Sequence, residues 1–249
     1  MTTSTNNTII IREDGTRHAG CDESSGWIWY AARQLELALV QVVQDLESHL
    51  ALPAMSTTTT TTTTTNATTR RTATILELGS GTGWLSLQLA LRGATVTATE
   101  RSGAISLLTR NIMSNLERID SLDVQVHELE WSSGERLEGH WDLFVGSDLI
   151  YIHENNVPLL QTLVRHDCKL CVLAWEERKP QEEANFIALA QECNFHVDSL
   201  VQLGTNPATG RIIWLLRMTY QKPPLAAVVA AIANNMVDQP SLVLDIAVV

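Results

Sequence analysis

The chain has 249 residues, 45% of them hydrophobic and 18% charged, the balance of an ordinary soluble globular protein whose core needs no metal or disulfide staples. Its formal net charge of −11 argues against a nucleic-acid partner, because a phosphate backbone asks for a basic face; a small molecule or a basic protein segment suits it. Cys21, Cys168, Cys171 and Cys193 make no disulfide framework, no signal peptide is visible, and the longest apolar run, residues 225–233, is too short for a bilayer. A reducing, cytoplasmic compartment and no membrane partner are therefore expected, with the nucleus as the other candidate.

Residues 1–55 hold a strand candidate, TIIIRED at 8–14, and a helix candidate over 28–50. The threonine-rich run at 56–69 has no apolar pattern and reads as a flexible surface loop. From 70 to 220 strands and helices alternate. Strands are expected at 74–78, 95–100, 123–129, 142–148 and 169–175, and helices at 84–92, 102–116, 157–164 and 180–193. Two further strands, 195–203 and 211–218, are separated only by a turn, so one of them must run antiparallel. The expected fold is α/β: a doubly wound, Rossmann-like sheet of seven strands ending in an antiparallel hairpin, with an N-terminal strand and helix packed on it. The tail, 221–249, has no assigned role.

The segment ILELGSGTG, residues 75–83, runs from a strand into an apolar helix, and its glycines let a ligand approach the backbone closely. Nicotinamide, flavin and adenosylmethionine sites all use such turns. Two details separate them. The dinucleotide fingerprint wants glycine at 84, where this chain has Trp84. Glu77, just before the first glycine, would repel a pyrophosphate and attract an amino-acid ammonium. S-adenosylmethionine carries the ammonium and no phosphate. Glu100, closing the second strand, is placed to accept hydrogen bonds from ribose hydroxyls.

Further on, WDLFVGSDLIY at 141–151 begins as a buried strand and then shows Asp148 and Tyr151, with no neighbouring cation that would obviously neutralise the acid. The fourth strand is expected beside the first, so both residues should face the ligand crevice where strand order switches.

Together ILELGSGTG, Glu100, HELEW at 127–131 and SDLIY at 147–151 resemble the seven-strand S-adenosylmethionine-dependent methyltransferases of methyltransferase family 16, known for methylating lysine side chains of proteins. The resemblance covers about residues 9–220. It implies a cofactor site made by Trp29, Glu77, Gly79, Ser80, Gly81, Gly83, Glu100, Trp131 and Ser147, with Trp29 against the cofactor and Trp131 beside the adenine. It makes Asp148 and Tyr151 the catalytic pair, and a protein with a target lysine the partner. Ser80 and Ser147 stand where the family often has alanine, and Trp27 competes with Trp29 for its place.

An acid at 148, where amide and adenine methylases carry asparagine, favours a cationic amine acceptor over a neutral one. Asp148 would orient the amine, Tyr151 would add a hydrogen bond or a π face, and bulk water would take the proton. The alternatives are a small amine or an N-terminal amine as acceptor and, in another class, a non-catalytic cofactor-binding scaffold. A nicotinamide oxidoreductase is disfavoured by Trp84 and Glu77. Cys168 and Cys171 form a lone C-x-x-C without a second pair, read as core thiols on opposite faces of a strand and not as a metal site. Glu176 to Arg178 are read as loop, with substrate contact as a secondary option.

Overall fold

The computed structural model describes residues 8–13, 28–50 and 72–222. Trp27, the threonine run at 56–69 and the tail after Lys222 lie outside them. Seven strands form one sheet: β1 (Thr74–Glu77), β2 (Thr95–Glu100), β3 (Asp123–Glu128), β4 (Leu143–Ser147), β5 (Leu170–Glu176), β6 (Phe195–Thr205) and β7 (Ile212–Tyr220). The helices are α1 (Tyr30–Leu50), α2 (Trp84–Leu91), α3 (Ile105–Leu116), α4 (Asn156–Arg165) and α5 (Pro180–Glu192), with a short 3₁₀ turn at His153–Asn155 before α4. No helix among the described residues is long and apolar enough to cross a membrane.

The strand order is β3-β2-β1-β4-β5-β7-β6. β1 to β5 pair in parallel, and β7 lies antiparallel between β5 and β6. The sequence left open which hairpin strand turns round; it is β7, whose insertion beside β5 lets β6 run on the outer edge.

Central strands are apolar on both faces because helices cover both. Ile75, Val145 and Val172 face one core with Leu35 and Leu39 of α1, Leu89 of α2, and Leu108 and Ile112 of α3. Their neighbours Leu76, Phe144 and Leu173 face the other core, with Leu159, Leu160 and Leu163 of α4 and Phe186 of α5. The alternation follows from the two-residue period of a strand. On α1, Ala31, Leu35, Leu39 and Val43 recur every fourth residue, and all are buried. Arg92, after α2, hydrogen-bonds through Nε to Glu36 of α1 at 3.0 Å and ties the N-terminal helix to the sheet layer.

Two expectations are corrected. Residues 8–13 are not a strand. They pair instead with side chains on α3. Asn115 accepts from the Ile10 N–H at 2.9 Å and donates to the Ile10 carbonyl at 2.7 Å, and Asn111 does the same for Arg12 at 3.1 and 3.0 Å. Two amides one helical turn apart thus satisfy alternate residues of an extended chain as a neighbouring strand would. Cys168 and Cys171, expected on opposite faces, lie in the same core. Cys168 precedes the first residue of β5, so the strand parity does not reach it.

Because β1 has β2 on one side and β4 on the other, the crossovers leave it in opposite directions and a crevice opens at its carboxyl end.

Candidate active site

A cavity lies over the carboxyl ends of β1, β2 and β4. Its floor is the turn after β1. Gly79, Gly81 and Gly83 all have positive φ, at 61°, 54° and 80°. At Gly79 the glycine is required: a Cβ would lie 2.6 Å from Leu149 Cδ2. Ser80 laces this turn to β2, where its N–H donates to the Thr99 carbonyl at 2.8 Å and its Oγ accepts from the Thr99 N–H at 3.1 Å. Glu100 accepts the Gly81 N–H on Oε2 at 2.8 Å and the Arg101 N–H on Oε1 at 3.0 Å, which fixes the plane of its carboxylate at the cavity wall.

Glu77 lines the same cavity and is 1% exposed. Ser86 of α2 donates a hydrogen bond to its Oε2, and no salt bridge to it occurs among the described residues. Burial pushes its carboxyl up to about 7, the serine hydroxyls pull it down, and the Glu100 charge adds to the rise. A buried carboxylate that faces a cavity and has no salt bridge among the described residues is suited to receive a cation.

The other wall is the turn after β4. Asp148 adopts φ 54°, and its N–H extends the β4–β5 ladder by donating to the Ala174 carbonyl at 2.8 Å. This left-handed kink turns Leu149 inward over Gly79 and Gly146. Asp148 Oδ1 accepts from Arg178 Nη1 at 2.9 Å and from the Glu176 N–H at 3.0 Å. Burial still raises the Asp148 carboxyl above the usual range, with Arg178 and the Glu176 N–H opposing it. The Arg178 guanidinium carbon lies 5.0 Å from the Trp29 ring centroid and 5.9 Å from that of Tyr151.

The fold brings Trp29, Glu77, Gly79, Ser80, Gly81, Glu100, Trp131, Ser147, Asp148 and Tyr151 to the lining of this one cavity. Gly83 is not among the lining residues. It begins α2, where a Cβ would meet Leu108 Cδ1 at 2.8 Å and Ile112 Cδ1 at 2.9 Å, so its part is to let α2 and α3 approach. Sequence reasoning passed over Arg178 as the partner of Asp148, because nothing in a stretch such as WEERKPQEEA announces a contact thirty residues away. It also passed over Glu176 as a buried anchor. Burial pushes the Glu176 carboxyl up, yet hydrogen bonds from Asn206 and Thr209, helped by Arg178 and Arg211, hold it below the ordinary range.

The family model for lysine methyltransferases matches residues 4–193, which takes in the glycine turn, Glu100, Asp148 and Arg178. The chain belongs to the lysine methyltransferase family. Among this member's relatives, protein N-lysine methyltransferase METTL21A of Danio rerio is 43% identical over 93 residues, covering 36% of this chain and 42% of that one. The Mus musculus METTL21A is 36% identical over 128 residues, covering 49% and 57%. EEF1A lysine methyltransferase 3 of Xenopus tropicalis is 32% identical over 90 residues, covering 36% and 39%. The chain thus spans about half the length of the curated relatives it matches. In architecture it is similar to the methyltransferase domain of bacterial CtHen1, with a TM-score of 0.54 at 12% identity over 76% of this chain and 100% of that one. A second likeness is to magnesium protoporphyrin IX methyltransferase from Synechocystis PCC 6803, with a TM-score of 0.50 at 13% identity over 79% and 89%. These two likenesses show the shared sheet topology.

Proposed function

We propose that this protein transfers a methyl group from S-adenosyl-L-methionine to a lysine side chain of a protein. The observation that carries the reading is one cavity lined both by the glycine turn with Glu77 and Glu100 and by Asp148 with Tyr151. The family match and the names of the relatives support lysine as the acceptor.

The residues present fit the cofactor. Glu77 is a buried acid without a salt-bridge partner among the described residues, as the amino-acid ammonium requires, and Gly79 and Gly81 leave the backbone bare for close approach. Glu100 would accept the ribose hydroxyls, Trp131 would lie beside the adenine, and Trp29 and Ser147 would border the remainder. When bound, the cofactor supplies an electrophilic methyl on a sulfonium.

The protein's own contribution is then positioning, since an in-line displacement needs a neutral amine held in alignment more than it needs acid or base. Asp148 orients the amine by accepting its N–H, Tyr151 lays a ring and a hydroxyl beside it, and solvent takes the proton lost on the way in. Gly83 would complete the glycine turn under the cofactor while also admitting the α2–α3 contact. Free thiols at Cys168, Cys171 and Cys193 support a reducing, cytoplasmic compartment.

Calorimetric titration with S-adenosylmethionine, with NAD in parallel, tests the reading. Binding of the first only, weakened by Glu100→Ala, followed by labelled-methyl transfer onto lysine in a protein of a cell extract, is the expected result. Binding of NAD, or of neither, overturns it. Cofactor binding with no transfer to any protein would favour the scaffold, and transfer to small amines only would move the acceptor class.

A further inference from the structure

The two oxygens of Asp148 have unlike surroundings. Oδ1 accepts from Arg178 Nη1 at 2.9 Å and from the Glu176 N–H at 3.0 Å. Oδ2 is buried and accepts no hydrogen bond from the described residues, and Asp148 is one of the residues that line the cavity. A carboxylate oxygen in that condition is poised for a donor that enters the cavity.

Arg178 is held on several sides. Its guanidinium lies 5.0 Å from the Trp29 ring and 5.9 Å from the Tyr151 ring. Its own N–H and that of Lys179 donate to Glu183 Oε1 at 2.8 and 3.0 Å, and Trp175 Nε1 donates to Glu183 Oε2 at 2.9 Å. A group that stays charged at every working pH is thus fixed against Asp148, Trp29 and Tyr151, which line the cavity.

Resting on the methyltransferase reading, we propose that Arg178 determines which protonation state of the acceptor is received: paired with Asp148, it makes the site take the uncharged amine, whose N–H donates to Asp148 Oδ2. A lone Asp148 would hold an ammonium more firmly than an amine. An ammonium has no lone pair, so a lone acid would stabilise the unreactive form of the substrate. With Arg178 beside it the carboxylate remains an acceptor of one hydrogen bond, but the attraction for a second cation is offset by like-charge repulsion.

The other charges around the pair do not undo this. Glu176 turns to Asn206, Thr209 and Arg211, the last at 3.6 Å. Glu183 is occupied by the N–H groups of Arg178, Lys179 and Trp175, and Lys179 Nζ pairs with Glu182 at 3.0 Å. Glu77, Glu100, Arg101 and Glu130 line the rest of the cavity and bear on the cofactor portion of any ligand.

Two probes isolate the acceptor end. One is S-adenosylhomocysteine. The other is its analogue with the sulfur replaced by a carbon that bears a short alkyl chain ending in a primary amine. The ratio of their dissociation constants cancels what they share, including the titration of Glu77. Between about pH 7 and about pH 9, calorimetry on the wild type should show the ratio moving toward the amine by roughly tenfold per pH unit, because only the uncharged form is taken up. Arg178→Gln should flatten or reverse that slope, and Arg178→Lys, which keeps the charge, should retain it. A flat ratio in the wild type, an unchanged slope in Arg178→Gln, or a lost slope in Arg178→Lys overturns the proposal. A wild type that binds neither probe overturns the methyltransferase reading and this proposal with it, a signature distinct from a wrong slope.

Discussion

Glu77 and Glu100 end neighbouring strands, and their partners, Ser86, Gly81 and Arg101, come from the same short span of chain. Asp148 is held by Arg178 from beyond the next strand and helix, and Arg178 in turn lies against Trp29 from the start of the chain. The first wall is thus backbone N–H groups, hydroxyls and bare glycines; the second is side chains from three separate stretches. A wall of main-chain donors binds what is common to every reaction cycle and tolerates little change. A wall of side chains can be altered without disturbing the fold, which is where acceptor choice belongs. Substitutions at the first wall should therefore cost folding and cofactor affinity together, and those at the second should cost transfer alone.

The largest effect is expected at Gly79. Valine there would strain a left-handed backbone and strike Leu149, costing about 2 kcal/mol or more. Thermal unfolding should show a clear fall in Tm, and calorimetry no S-adenosylhomocysteine binding; a stable, binding Gly79→Val would break the comparison. Next comes Glu100→Ala, which strands the N–H groups of Gly81 and Arg101 and should weaken S-adenosylhomocysteine by about 1.5–3 kcal/mol, read as a rise in Kd.

A pH series sharpens the same wall. The Glu77 carboxyl is raised from 4.5 to about 7, so folding favours its protonated form. That stabilisation is complete below the unfolded value and is lost as pH rises through the folded one. The Tm of the ligand-free protein should fall between about pH 4.5 and about pH 7, and Glu77→Gln should remove this component. S-adenosylhomocysteine affinity should rise over the same window, since its ammonium needs the ionised acid. The smallest effect on stability belongs to the second wall. Tyr151→Ala gives up a cation–π contact worth about 0.5–1 kcal/mol at a partly exposed site. Tm and S-adenosylhomocysteine Kd should barely move, while labelled-methyl transfer falls; equal losses in binding and transfer would erase the distinction between the walls.

The alternation of strands and helices from residue 74 to residue 220 was legible because each element is specified by its own periodicity. Glycines in sequence before a helix, an acid at the tip of the next strand and an acid after the fourth were legible for the same reason: their partners are local or follow from strand order. The packing part of Gly83 was not legible, since a glycine that admits a ligand and one that admits a second helix look alike in a string of letters. The strand candidate at the N-terminus failed because extended chain needs a partner, and the partner turned out to be a pair of asparagine amides on α3.

What the sequence by itself determined is the doubly wound sheet, the crevice above β1 and the acids that border it, all consequences of short-range pattern. Tertiary structure alone decided that β7 separates β5 from β6, that Cys168 and Cys171 share one core, and that Asp148 is paired. The Asp148–Arg178 contact exists because β4 and β5 lie in register, Ser147 beside Ala174, so that the residues just past each strand meet above the sheet. Such a meeting depends on the packing of whole elements, and no window of sequence containing only one of them carries it.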